Sequence, residues 1–288
     1  MDKIIISAPA KLNLMLDIVG KRDDGYHELC TVMQMTALND SLILEKRRQP
    51  GIRLSTSLPD LPDDSGNIAY RAAEFMIGAF GLKEGVSIEI TKRIPIAAGM
   101  AGGSTDAAAV LLGMNRLFDL SLGTDQLMEL GGKLGADVPF CVLKKTSLLS
   151  GRGDRAELIP SLPVCSIVVA KPAVQVSTAY VYAEYDRLKD VKHPDTDGFV
   201  RAMRAGDLAG IADKLGNVLE YVTAAQFPVI NKLKADMKEL GAAGTLMTGS
   251  GPTVFGLFED KRTAARAARK IREEGAAGDV FLTEPYQQ

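Results

Sequence analysis

The segment Pro95-Ile-Ala-Ala-Gly99-Met-Ala-Gly102-Gly103-Ser104-Thr105-Asp106-Ala-Ala-Ala constrains this chain more than any other. Nine of its residues are Gly or Ala, and it joins a strand-patterned stretch, 86–91, to a helical pattern running from near Ser104 to Phe118. A loop of such small residues lets backbone N–H groups approach an anion, and the helix N-terminus adds partial positive charge. The alternative is tight strand-to-helix packing, capped by Ser104 or Asp106. Ser104 and Thr105 also offer hydroxyls to a phosphate or its metal. The lysine of G-x-x-x-x-G-K-[ST] is missing, so this is not a Walker A sequence.

Around this loop, 3–6, 12–19, 29–38, 40–46 and 51–55 pattern as strands, and 67–80 as a helix with Ile68, Ala72, Phe75, Met76 and Ala79 on one face. A helix is expected over 124–134, ended by Gly135, then strands near 146–150 and 156–159. Pro160 and Pro163 mark a boundary, which divides the chain into domains 1–160 and 161–288. Beyond it the pattern predicts a strand at 165–170, several helices between 177 and 240, strands 243–248 and 253–258, a helix 260–273 and a strand 279–283. Strands and helices do not alternate strictly, so the fold class is α+β.

Composition removes several functions. With 34 Lys+Arg against 36 Asp+Glu there is no basic excess for a nucleic-acid backbone. No apolar run approaches the roughly 18 residues of a membrane span. Cys30, Cys141 and Cys165, with only His27 and His193 beside them, form neither a disulfide framework nor a zinc pattern, and a reducing cytoplasm is the simplest setting. Ala8-Pro9-Ala10 looks like a cleavage site, but only Ile4-Ile5-Ile6 precedes it, so no export is expected.

Other motifs are open to two readings each. Lys11, within an apolar strand, either snorkels at an edge or is buried with a partner. Gly25-Tyr26-His27-Glu28 sets a ring beside an imidazole, in a loop where a lone histidine is often only a surface residue. Asp137, in Gly135-Ala-Asp137-Val-Pro139, either N-caps a short helix with Pro139 in its first turn or is a carboxylate held for chemistry. Thr248-Gly249-Ser250-Gly251-Pro252 is a hairpin turn or a nest of donors around a phosphate. Gly151-Arg-Gly153-Asp-Arg-Ala156 fits G-x-G-x-x-A, but the residues after it are extended, so a turn is expected.

Together, Ala8-Pro-Ala-Lys11-Leu-Asn13-Leu, Gly25-Tyr26-His27, Pro95 to Ala108, Gly135-Ala-Asp137-Val-Pro139 and Gly249-Ser250-Gly251 resemble the GHMP kinase superfamily, in this order and over nearly the whole chain. The first two are most similar to its branch that phosphorylates a cytidyl diphosphate ester of methylerythritol. The resemblance implies two domains, ribosomal-protein-S5-like and then ferredoxin-like, with the active site in the cleft between them. It also implies transfer of the ATP γ-phosphoryl to the 2-hydroxyl of the methylerythritol unit, on the non-mevalonate route to isoprenoids.

By the same resemblance, Lys11 and Asp137 are catalytic and lie side by side. Pro95, Ala97, Ala98, Gly99, Met100, Ala101, Gly102, Gly103, Ser104 and Thr105 form the phosphate loop, and Asn67 and Lys92 lie near the adenine. Asn13, Tyr26, His27 and Tyr182 hold the acceptor, with Gly249, Ser250 and Gly251 lining the phosphate region. ATP would arrive with Mg²⁺, for which Ser104, Thr105 or Asp106 are candidate ligands. The partners implied are these small molecules, with no nucleic acid or membrane, for a cytoplasmic monomer or homodimer. Two departures stand out: Gly99-Met100-Ala101-Gly102 occurs where a Leu and a further Gly are usual, and Tyr182 where some relatives have Phe. Tyr182 and Tyr185, three apart, also fit a plain core stripe. Competing readings are a sister kinase acting on mevalonate or homoserine, a non-catalytic nucleotide-binding protein, and an RNA binder. An aliphatic acceptor leaves Tyr26 nothing to stack on, a non-catalytic protein has no need of both Lys11 and Asp137, and the acidic balance opposes RNA.

Overall fold

A computed structural model describes residues 2–23, 25, 27–151, 153 and 155–287. Its first two strands are longer than their local patterns predict. β1 (Lys3–Lys21) runs unbroken through Ala8-Pro9-Ala10, and β2 (His27–Arg47) runs through 39, because both lie in buried surroundings along most of their length. Then come β3 (Ile52–Thr56), α1 (Ile68–Phe80), β4 (Gly85–Thr91), α2 (Gly102–Leu117), α3 (Thr124–Gly132) and α4 (Val138–Leu143). β5 (Ser147–Gly151), β6 (Arg155–Leu158), β7 (Ser166–Lys171), α5 (Thr178–Tyr185), α6 (Thr196–Ala205) and α7 (Leu208–Asp213) follow. The chain ends with β8 (Gly216–Asn217), α8 (Glu220–Gln226), α9 (Val229–Glu239), β9 (Gly244–Met247), β10 (Val254–Phe258), α10 (Lys261–Glu274) and β11 (Asp279–Thr283).

Two compact units are assembled from separate stretches. The first takes the chain up to Ala10, Asn39–Ile94 and Ala101–Lys144. In it β3 runs parallel to β4, and β4 pairs antiparallel with the far half of β2, from Ser41 opposite Thr91 to Arg47 opposite Gly85. Leu42, Leu44, Ile88 and Ile90 are buried there, each stabilising the unit by about 1.5–3 kcal/mol. Helices α1 and α2 pack on each other, and the buried Ala107, Ala108 and Ala109 keep α2 slim enough to be enclosed.

The second unit takes Lys11–Leu38, Pro95–Met100 and the chain from Lys145 onward. β8 adds in parallel to β1 at Met15 and Leu16, and β5 pairs antiparallel with the first half of β2. β5 and β6 pair across the G-x-G-x-x-A stretch, with Ser150 opposite Arg155 and no helix behind it. A separate antiparallel sheet has the order β11-β7-β10-β9, which is 4-1-3-2 in its own count, the ferredoxin-like arrangement. Its core gathers Val168, Ala170, Val254 and Phe258 with Ala264, Ala267 and Ile271 of α10.

Candidate active site

In the second unit Lys11 is only 4% exposed, so it does not snorkel to an edge. Its ammonium donates to Asn13 Oδ1 at 2.5 Å, and Asn13 Nδ2 donates in turn to Thr31 Oγ1 at 2.8 Å. Among the described residues Lys11 pairs with no carboxylate of its unit. A buried cation whose partner is a neutral amide carries a desolvation cost that a bound anion would offset.

The first and third glycine clusters are brought together at that cation. The Asn13 backbone N–H donates to Thr248 Oγ1 at 2.8 Å, and the Lys11 N–H to the Met100 carbonyl at 3.1 Å. Gly249 has φ +60, and a Cβ on it would lie 3.2 Å from the Gly99 carbonyl, 3.4 Å from Asn13 Oδ1 and 3.5 Å from Lys11 Nζ. A side chain at Gly249 would therefore fill the space in front of the ammonium. Three side chains that the sequence reading missed hold this turn. Asn217 Nδ2 donates to the carbonyls of Met247 and Gly249, both at 2.8 Å, Thr223 Oγ1 donates to the Ser250 carbonyl, and Thr178 Oγ1 lies 2.9 Å from Ser250 Oγ. No local signal marks them, since each is an ordinary polar residue on a helix or short strand.

His27 is not a surface histidine. It opens β2 with its side chain only 12% exposed, and its Nε2 lies 2.7 Å from Asp186 Oδ1. Tyr182 sits 5.0 Å from the imidazole, centroid to centroid, with the rings inclined 35°. Tyr182 and Tyr185 also pack on the core of this unit, so the stripe and the ring contact coexist. Tyr26 lies outside the described residues.

In the first unit α2 begins at Gly102, two residues before its pattern predicts, and neither Ser104 nor Asp106 caps it. Ala101 occupies the N-cap position in the left-handed region (φ +57) and no side chain bonds the first-turn amides. First-turn N–H groups without a side-chain cap, together with the helix dipole, are the physical basis on which a helix start can receive an anion. Ala97 shares the left-handed conformation, so two alanines adopt a backbone that glycine takes more cheaply. Asn67 N-caps α1, accepting from the Ala69 N–H at 3.0 Å.

Lys92 is buried between two carboxylates. Its ammonium lies 2.5 Å from Asp40 Oδ2 and 2.5 Å from Asp106 Oδ2, with all three side chains at most 5% exposed. Burial lowers the Lys92 pKa, but Asp106 and Asp40 more than offset it and the net shift is upward. Burial raises Asp106 well above the ordinary carboxylate range, against the pull of Lys92. Two carboxylates share one cation there, and Asp40 Oδ1 also accepts from the Arg93 and Ile94 N–H groups. Asp106 Oδ1 and Thr105 Oγ1 are buried without a partner.

Asp137 stands at the N-cap of α4, with Pro139 in the first turn as expected, yet its side chain makes no capping hydrogen bond. The half-buried carboxylate is thus not used for the role that its position offers. No three His, Cys, Asp or Glu side chains gather as a metal site among the described residues.

The model of the GHMP kinases N terminal domain matches residues 67–145, and that of the GHMP kinases C terminal matches 199–277. A 4-diphosphocytidyl-2-C-methyl-D-erythritol kinase from Lachnospira eligens is 43% identical over 286 residues, covering 99% of either chain. A crystal structure of 4-(cytidine 5'-diphospho)-2C-methyl-D-erythritol kinase superposes with a TM-score of 0.84 at 34% identity, over 99% of this chain and 100% of that one. Homoserine kinase from Cytophaga hutchinsonii superposes at 0.76 with 20% identity, over 100% and 96%, a likeness of fold alone. This chain belongs to the GHMP kinases, with their two-domain α+β fold. It is an ATP-dependent small-molecule kinase, and the relatives just described group it with the diphosphocytidyl methylerythritol kinases. No helix among the described residues is long and apolar enough to cross a membrane.

Proposed function

We propose that this chain transfers the γ-phosphoryl of ATP to the 2-hydroxyl of 4-diphosphocytidyl-2-C-methyl-D-erythritol, giving the 2-phosphate and ADP on the non-mevalonate route to isoprenoid precursors. The observation that carries the reading is Asp137, a carboxylate at a helix N-cap that caps nothing. Lys11, buried without a counter-ion in its unit, and the uncapped start of α2 support it.

The chemistry needs alignment and charge stabilisation more than covalent help. A bond forms between the acceptor 2-oxygen and the γ-phosphorus while the bond to the β,γ-bridging oxygen breaks, and the electron pair leaves with ADP. Asp137 orients the hydroxyl and takes its proton. Lys11 offsets charge on the transferring group, and the amides of Gly102, Gly103 and Ser104 receive phosphate oxygens. Asn13 sets the Lys11 ammonium, and His27 with Tyr182 and Tyr26 receives the cytosine. Asn67 and Lys92 border the nucleotide through α1 and α2. Mg²⁺, which supplies charge neutralisation on phosphate oxygens, suits the hard oxygens of Ser104, Thr105 and Asp106, two of which are buried without a partner.

ADP release, measured with the cytidyl acceptor, mevalonate and homoserine in parallel, tests the reading. Turnover with the cytidyl acceptor alone is expected, and Asp137→Asn should lower it by about two to four orders of magnitude in folded protein. Turnover with mevalonate or homoserine instead would reassign the substrate, and ATP binding without ADP from any acceptor would end the catalytic reading.

A further inference from the structure

Asp186 is absorbed by none of the roles above, yet it occupies both sides of a small polar cluster in the second unit. It follows the last turn of α5 as its C-cap, four residues after Tyr182, so one helix face presents both ring and carboxylate to His27. Its Oδ1 faces His27 Nε2 at 2.7 Å, and its Oδ2 receives the ammonium of Lys21 from the end of β1. Hydrogen bonds from His27, and then from Lys21, hold the Asp186 carboxyl below its ordinary range.

An ionised carboxylate only accepts hydrogen bonds, so the imidazole nitrogen that faces it must carry the hydrogen. The neutral ring is thereby set as the Nε2–H tautomer, and Nδ1 is left as a lone-pair acceptor on a ring whose centroid lies 5.0 Å from that of Tyr182. Nδ1 is also the one ring nitrogen left for a ligand. We propose that Asp186, braced by Lys21, is a positioning residue that fixes the His27 tautomer and so makes the site selective for an amino-bearing pyrimidine over its oxo counterpart. The 4-amino group of cytosine donates a hydrogen bond, whereas O4 of uracil only accepts and would meet the Nδ1 lone pair with repulsion. A site built around one such polar contact discriminates strongly against the analogue that cannot complete it. This inference rests on the cytidyl reading of the substrate.

Two measurements test it together. Ring ¹⁵N shifts of histidine-labelled protein report which nitrogen is protonated, and with only two histidines a His193→Gln variant assigns the signals. Kinetics with the cytidyl acceptor and its uridyl analogue report selectivity. Wild-type His27 should show Nε2 protonated and Nδ1 bare. In Asp186→Ala the tautomers should mix, KM for the cytidyl acceptor should rise about tenfold with kcat within about twofold, and the uridyl KM should move less than about threefold. Asp186→Asn, which keeps one accepting oxygen, should fall between. A protonated Nδ1 in the wild type overturns the proposal, as does a KM that rises equally for both acceptors or for neither. If wild-type protein phosphorylates neither ester, the substrate reading falls, and the selectivity claim with it, while the ring-nitrogen shifts still decide whether Asp186 sets the tautomer.

Discussion

Lys11 and Lys92 are both buried lysines, yet their environments assign them opposite work. Lys92 is matched by two carboxylates, and breaking such a group by removing one partner costs about 3–5 kcal/mol. Among the described residues of its unit Lys11 donates to the Asn13 amide and pairs with no carboxylate, so its charge is available to a ligand. Lys11→Met is accordingly expected to keep or raise the stability of the nucleotide-free protein while abolishing most of its stabilisation by ATP. Paired thermal melts with and without nucleotide check this, and a large loss without ATP would make Lys11 structural. Asp106 supplies a pH signature. Its carboxyl holds a proton more tightly folded than unfolded, from the ordinary value of 3.8 up to about 7. Across that window the folded state therefore binds more protons, and the contribution of Asp106 to stability falls as pH rises. Asp106→Asn should flatten that slope in urea titrations run from pH 4 to 7. The presence of lysine and aspartate at these positions is plain in the sequence, but which cation is already neutralised is not.

At the scale of elements, the loop from Pro95 into α2 was readable as a run of small residues joining a strand to a helix, a composition that excludes side chains that would block the amides. That Ser104 and Asp106 leave the helix uncapped was not readable, since capping depends on the conformation of Ala101 rather than on residue type. Ala101 adopts a positive φ there, a backbone that glycine takes more cheaply. The turn at Gly249 depends instead on Asn217, in a two-residue strand that no periodicity reveals. Asn217→Ala leaves the Met247 and Gly249 carbonyls without their amide partner, and should cost about 1–3 kcal/mol in urea denaturation. It should also raise KM for ATP, because the turn then wanders in front of Lys11. Strands β1 and β2 were expected in pieces, as the stretch around Pro9 and the polar Asn39 interrupt the local pattern; burial on both sides carries the strands through.

For the molecule as a whole, both units are built from stretches far apart in the chain, and the glycine loop contributes Pro95–Met100 to one and the start of α2 to the other. A ligand held by that loop binds folded protein and not the unfolded chain. At ATP concentrations about 100 times Kd, linkage predicts a gain of about 2.7 kcal/mol. For a chain of 288 residues that corresponds to a rise in Tm of about 4–5 °C. Differential scanning fluorimetry with ATP, against adenosine as a control that lacks phosphates, measures it. An equal shift with adenosine would remove the phosphate loop from the binding energy.

From residue order alone came the α+β class, the glycine-rich loop between strand and helix, the family, and the short list of lysine, asparagine, histidine and aspartate side chains worth watching. Those depend on composition and spacing within a few neighbouring residues, where sterics and hydrogen-bonding capacity are local. Tertiary structure decided which of them are free to act. Asn13 meets Thr248 across 235 positions, Lys92 meets Asp40 across 52, and His27 meets Asp186 across 159. Charge neutralisation, tautomer and burial are properties of such distant encounters, so they exist only once the strands have found their register and the cores have closed.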